Sequence, residues 1–291
     1  LRLSNNWVVS RLMAVYVQGF RNVPLLLWII AIMALMTEGM SRIREFRVGG
    51  DAGMFLNDRV AVPNRGVYIP GPEFSRIFGE TGILSAGIGW LGAIAILVGS
   101  FFGARTVNKR ATRIQEATGV RPATLATNLA IWFLPLIAFF IITGLTFVVP
   151  VLKGFNFGGG IKIGAPLIAM WLALSVYTGA FIAENVRAGI QAVSKGQTEA
   201  AGALGIRPGR IMSLIILPQA LRVIIPPMIS NFLNITKNSS LAILVGYADV
   251  TATLGGITLN QTGRAIECVV LLMLFYLIIS LTISGVANVY N

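Results

Sequence analysis

Apolar residues run along this chain in long blocks, and five of them are long or apolar enough to cross a bilayer: residues 23–37, 83–102, 129–149, 163–183 and 266–287. The first is short. At about 1.5 Å of rise per residue it covers about 22 Å of a hydrocarbon core of about 30 Å, so it must borrow flanking residues or tilt little. A sixth segment, 222–246, has membrane length but many polar groups, and hydropathy alone passes over it. Counting it gives about six spans, an all-α integral membrane bundle. The second and fourth blocks are rich in small residues (Gly87, Gly89, Gly92 and Gly99; Gly164, Ala169, Ala173, Gly179 and Ala180), which lets helix backbones approach closely and reads first as packing. Pro135 is expected to kink the third block. Residues 38–80, with Pro63, Pro70, Gly71 and Pro72 among Phe55, Tyr68 and Phe74, read as an ordered external loop with little regular structure, and 154–160 as a second, turn-rich one.

Charge sets the orientation. The chain carries 23 Lys and Arg against 11 Asp and Glu, a net charge of +12. In a soluble protein that excess would suggest nucleic acid. In a chain that is 55% hydrophobic and 12% charged it reads as topology, and no nucleic-acid partner is expected. Basic residues cluster before the first block (Arg2, Arg11, Arg21), after the second (Arg105, Lys109, Arg110, Arg113, Arg121) and after the fourth (Arg187, Lys195, Arg207, Arg210, Arg222). The positive-inside rule makes these three regions cytoplasmic. The loop 38–80 is then external by alternation, although it holds six arginines (42, 44, 47, 59, 65 and 76) offset by six acidic residues. No signal-peptide pattern opens the chain, which is expected to be N-terminally incomplete.

The chemistry of enzymes is missing. With no His and the single Cys268, imidazole or paired-thiolate metal sites and an intrachain disulfide are excluded. No glycine-rich phosphate loop of the form G-x-x-x-x-G-K-[ST] occurs, so ATP hydrolysis is not expected on this chain. Outside the first external loop the acids are Glu116, Glu184, Glu199, Asp249 and Glu267, and they suggest no nucleophile with its base.

Two polar segments ask for a role. Residues 194–205 form a short small-residue helix between spans, with Ser194 as N-cap, Gln197 placed to complete a capping box, and Gly205 placed to close it in a left-handed turn. Ala200, Ala203 and Leu204 share one narrow apolar face beside Glu199, and Pro208 suits the first turn of a following helix. The second segment holds Lys237, an ammonium that is expensive near a bilayer interior, with Asn231, Asn234, Asn238 and Ser239 able to share its desolvation. It reads equally as a polar route or ligand site and as a structural tie between helices. A secondary transporter would also use a polar broken helix, but would call for charged ion sites within spans and internal repeats.

Glu199-Ala-Ala201, Gly205 and Leu217-Pro218 resemble, in type and spacing, the EAA loop of bacterial ABC importer permeases. Ala183-Glu184, residues 187–193, Lys195-Gly-Gln197, residues 216–222 and 237–241 are similar to the polar amino-acid subfamily. Residues 20–27, 154–157, Tyr177-Thr178 and 260–263 are similar to the broad-specificity L-amino-acid permeases. The resemblance implies a type I ABC importer membrane domain spanning 1–291, with cytoplasmic coupling helices in an EAA region at 185–222. It implies a bacterial inner-membrane location and, as partners, two ATP-binding subunits, a second permease subunit, homologous or identical, and a periplasmic amino-acid-binding protein. The substrate would be an L-amino acid. ATP and Mg would sit on partner subunits, with no cofactor in this chain. Glu199, Ala200, Ala201, Gly205, Leu217 and Pro218 are then expected to couple to the ATPase, and Thr178, Asn231, Asn234, Lys237, Asn238 and Ser239 to line the substrate path. The alternative is a secondary amino-acid transporter working without an ATPase. Members of the family have membrane helices upstream of the Phe20-Arg-Asn motif, and this chain has Trp28 where Gln is expected and Asn185 where an aliphatic residue is usual.

Overall fold

A computed structural model of the chain describes residues 4, 6–47, 50–74, 82–120 and 122–289. Arg2, Arg76, Arg121 and Glu80 lie outside them. The helices are α1 (Trp7–Asn22), α2 (Leu25–Glu38), α3 (Gly82–Thr118), α4 (Leu125–Thr143), α5 (Ala165–Ala192), α6 (Lys195–Ala203), α7 (Pro208–Ile211), α8 (Leu217–Asn238), α9 (Val250–Ala252), α10 (Leu259–Thr262) and α11 (Ala265–Val289). Short strands lie among them: β1 (Gly66–Ile69), β2 (Gly71–Phe74), β3 (Leu145–Val148), β4 (Val151–Lys153), β5 (Asn156–Gly158) and β6 (Ile161–Gly164).

Among the described residues, five helical segments are long and apolar enough to span a membrane, and a sixth is the pair α1 and α2 if that pair is one span. Three boundaries differ from expectation. The block at 23–37 is only half of a pair bent by 106°, because Pro24 breaks the helix and leaves the 14 residues of α2. The polar segment at 222–246 belongs to a much longer helical stretch, Pro208–Val245, of 38 residues. The block at 129–149 stops being helical at Thr143, where Gly144 takes φ +66° and the apolar residues beyond it form β3. Pro135 lies inside α4, which continues past it to Thr143.

The chain divides into two compact units, one of Leu1–Ser41, Pro63–Gly66 and Ile163–Asn291, the other of Arg42–Val62 and Val67–Lys162. In the first, α5 is the central helix and packs against α1, α2 and α8. Its small residues do what their size predicts: Ala165, Ala169, Ala173 and Ala180 are all buried. Leu25 and Ile29 of α2 close on Ala173 and Leu174, with Trp28, Met170, Tyr177 and Leu241 around them. Tyr16 of α1 donates to the Val176 carbonyl at 2.7 Å, beside Gly179, where a methyl group would lie 3.0 Å from the phenol oxygen. α5 and α8 approach closely where a Cβ on Gly189 would fall 2.3 Å from Ile224 Cγ1.

The second unit is a hairpin of α3 and α4 carrying a small lobe. β2 pairs antiparallel with β3, with Gly71 opposite Val148 and Phe74 opposite Leu145. That pairing holds the two loops at one end of the hairpin, as two intervening crossings require. Phe74 is fully buried among Trp90, Phe139 and Phe140, and Gly89 makes room for its ring. The stretch expected to hold little regular structure contains a 3-10 turn, Ile43–Phe46, and strands β1 and β2. Its core is Ile43, Ala61, Tyr68 and Phe157, a patch of apolar burial separate from the long helices.

Candidate coupling site

Helix α6 is nine residues long and is stopped sharply at one end. Gly205 has φ +74°, its N–H donates to the Gly202 carbonyl at 2.9 Å, and the Ile206 N–H donates to the Ala201 carbonyl at 3.2 Å. These two bonds are the Schellman pattern, and they satisfy carbonyls that a helix end otherwise leaves open. The other end departs from expectation. Ser194 is the N-cap residue but its hydroxyl makes no capping bond, and no capping box forms. The Gln197 side chain is engaged elsewhere: its Oε1 accepts from Nε2 of Gln219, in the first turn of α8. The same Gln219 Nε2 donates to the Ile215 carbonyl at 3.0 Å.

Exposure sorts the faces of α6. Glu199, Ala200, Ala203 and Leu204 are open to the surroundings, Leu204 at 80%, whereas Ala201 is buried at 4%. The predicted narrow apolar face therefore exists as an uncovered surface, and Ala201 supports it from inside. α6 packs against α7 and against the π-helical turn Met212–Ile216 that leads into α8. Pro208 takes the first position of α7, as its fixed φ favours. Leu217 and Pro218 are exposed residues that open α8, on the far side of the π turn from α6. Just before α6, Arg187 and Glu184 form an ion pair of 2.9 Å on α5.

The residues expected along the substrate path lie on α5, on α8 and, for Ser239, in the 3-10 turn that follows α8. Thr178 is buried on α5 and has no hydrogen bond to the α8 amides among the described residues. Asn231, Asn234 and Asn238 follow one another at helical spacing on α8, and Asn231 Nδ2 is buried without a partner. Lys237 is exposed and borders a hollow of about 720 Å3 with Val270, Met273, Tyr276, Leu277 and Ser280 of α11. The Ser239 hydroxyl donates to the Thr236 carbonyl at 2.7 Å where α8 passes into a 3-10 turn. Trp28 stacks on Phe20 with ring centroids 4.1 Å apart, and its Nε1 is buried without a partner. Sequence reading missed Gln219; the signal available was a second amide in the Leu217-Pro218-Gln219 run that resembles the family.

Residues 120–290 match the family described as binding-protein-dependent transport system inner membrane component. The chain belongs to this family. The matched stretch takes in α4 through the described end of α11, and so contains α6 and the polar face of α8. This permease is similar to the glutamate/glutamine/aspartate/asparagine transport system permease BztB of Rhodobacter capsulatus, at 51% identity over all of this chain and 71% of that protein. It is 44% identical to the general L-amino acid transport system permease AapQ of Rhizobium johnstonii, over all of this chain and 68% of the relative. Against the putative amino-acid ABC transporter permease YhdX of Escherichia coli the identity is 42%, over all of this chain and 70% of that one. A solved structure described as the crystal structure of an amino acid ABC transporter with histidines aligns over 70% of this chain and 87% of its own, with 25% identity and a TM-score of 0.40. The permease is a multi-pass membrane protein, and its membership favours an ABC transport subunit over a carrier working without an ATPase.

Proposed function

We infer that this chain is the membrane permease subunit of an ATP-driven amino-acid importer, and that α6 is the rod its ATP-binding subunits grip. The relatives supply the transport class. The observation that carries the coupling role is the state of α6: a nine-residue helix with a Schellman end and an uncovered face of Ala200, Ala203 and Leu204. A helix with a fixed terminus transmits rigid-body displacement, whereas a loop absorbs it. Glu199, Ala200 and Leu204 are the surface contacts in this reading, Ala201 and Gly205 hold the shape of the rod, and Leu217-Pro218 begin the helix that receives the motion. The full assembly has two ATP-binding subunits holding ATP and Mg, a second permease subunit and a soluble amino-acid-binding protein, in the bacterial inner membrane. The unpartnered Asn231 amide and the neighbouring Asn234 and Asn238 supply hydrogen-bonding capacity for an amino acid crossing along α8.

The test is the variant Glu199→Lys with Gly205→Asp in the intact operon. It reverses the charge beside the apolar face and puts a side chain at φ +74°, a conformation costing about 1–2 kcal/mol for an L residue. Import of radiolabelled L-amino acids is expected to be abolished while the permease still accumulates in the membrane. Normal uptake by the variant refutes the assignment.

A further inference from the structure

We propose that the hydrogen bond between Gln197 and Gln219 is the link through which a push on α6 reaches α8, making both glutamines positioning residues for coupled transport. The proposal rests on α6 being the ATPase-gripped rod, and identifies what that rod pulls on. The covalent route from α6 to α8 is soft. After Gly205 the chain passes through Arg207 in an extended conformation (φ −63°, ψ 142°), the four residues of α7, and the π turn Met212–Ile216. A π turn interrupts the regular ladder, and such turns recur at functional sites. Displacement of α6 along this route would be taken up at the extended link around Arg207, ahead of the continuous helical stretch Pro208–Val245.

The Gln219 amide bypasses it. One Nε2 hydrogen goes to the Gln197 side-chain oxygen on α6, the other to the Ile215 carbonyl inside the π turn. Both donors of the amide nitrogen are thereby used, so one group staples α6, the turn and α8 together. Its position in α8 gives it leverage. The next residue, Ala220, is fully buried, and Ala220 and Ile224 are the residues that close against Gly189 of α5. A pull at Gln219 is applied beside the crossing about which α8 can turn, and α8 carries the Asn231, Asn234 and Asn238 face. The Gln197 side chain is thus directed to Gln219, and no capping box forms at Ser194.

The experiment uses the whole complex in proteoliposomes: the permease pair, the ATP-binding subunits and the loaded soluble receptor, supplied with a radiolabelled mixture of L-amino acids. Import and ATP hydrolysis are measured together for Gln197→Leu, Gln219→Leu, the double variant and Gln197→Glu. One hydrogen bond of ordinary net strength predicts about a three- to tenfold fall in amino acid imported per ATP hydrolysed for each Leu variant. The double variant should be no worse than either single one, because both remove the same bond. Gln197→Glu keeps an acceptor oxygen in place and should keep the ratio near that of the unmodified complex. ATP-binding subunits should co-purify with every variant. Unchanged import per ATP in the Leu variants overturns the proposal, as do additive losses in the double one. Loss of the ATP-binding subunits from the Leu variants would make Gln197 a docking contact instead, and would also overturn it. A parallel Glu199→Lys, Gly205→Asp complex separates the two ideas: normal import by that complex sinks the rod itself, whereas its failure beside normal Leu variants sinks only the link.

Discussion

The crossing of α5 and α8 permits a prediction whose sign can be reversed at will. Replacing Gly189 by Ala puts a methyl carbon 2.3 Å from Ile224 Cγ1, 3.0 Å from its Cδ1 and 3.2 Å from the Ala220 carbonyl oxygen. The carbonyl contact yields to a shift of a few tenths of an ångström. The Cγ1 contact does not, because Ile224 is buried at 3% and a β-branched side chain in a helix has one strongly preferred χ1. Overpacking of this kind costs about 1–3 kcal/mol, against about 1 kcal/mol gained by removing a glycine from a helix interior. Gly189→Ala alone should therefore destabilise the permease by up to about 2 kcal/mol. Truncating Ile224 to Ala removes both clashing carbons and costs about 2–5 kcal/mol by itself. In that background Gly189→Ala meets only the Ala220 carbonyl oxygen, which yields to a small shift, and should become stabilising by up to about 1 kcal/mol. The four proteins are compared by denaturant titration in detergent, following loss of helicity. The coupling between the two sites should be about 1–3 kcal/mol. Equal effects of Gly189→Ala in both backgrounds would refute the close crossing, and with it the proposed pivot of α8 beside Gln219.

Two further perturbations address the other surfaces. Leu204→Glu should change the stability of the isolated permease by less than about 0.5 kcal/mol, since the residue is 80% exposed, yet weaken retention of ATP-binding subunits at least tenfold on co-purification. Undiminished retention would remove Leu204 from the gripped face. Phe157→Ala deletes a ring packed on Phe46 and Tyr68 at centroid distances of 5.5 and 5.0 Å, at a cost of about 3–5 kcal/mol. In so small a lobe that loss should expose residues 50–62 to protease while the helices stay protected, and an unchanged digestion pattern would show that the lobe does not depend on this core.

Legibility in the sequence followed the range of the interaction involved. Gly205 could be read as a helix end because the requirement is local: a positive φ is cheap only without a Cβ, and the closing bonds span three and five residues. The polar stripe Asn231, Asn234, Asn238 was equally plain, being a matter of spacing on one helix. The capping box failed because spacing names a permitted partner without its competitors, and the competitor for Gln197 stands twenty-two positions along the chain. β3 was hidden inside an apolar block because Leu145, Phe147 and Val148 continue the apolar run of α4 without a break in composition, and only Gly144 marked the change. The family itself was legible from the 194–222 motifs and is borne out by the match over 120–290.

The same distinction bears on how such a subunit could work. Local rules build a rigid rod and a rigid transmembrane helix, but no local rule joins them, and the intervening chain is extended at Arg207 and irregular at the π turn. A rod gripped from outside then turns the bundle only if some long-range contact spans the soft joint. The Gln219 amide spans it with two hydrogen bonds, one residue before a helix crossing too tight to slip. Without that side-chain contact, α6 and α8 are joined only through the extended link at Arg207 and the π turn.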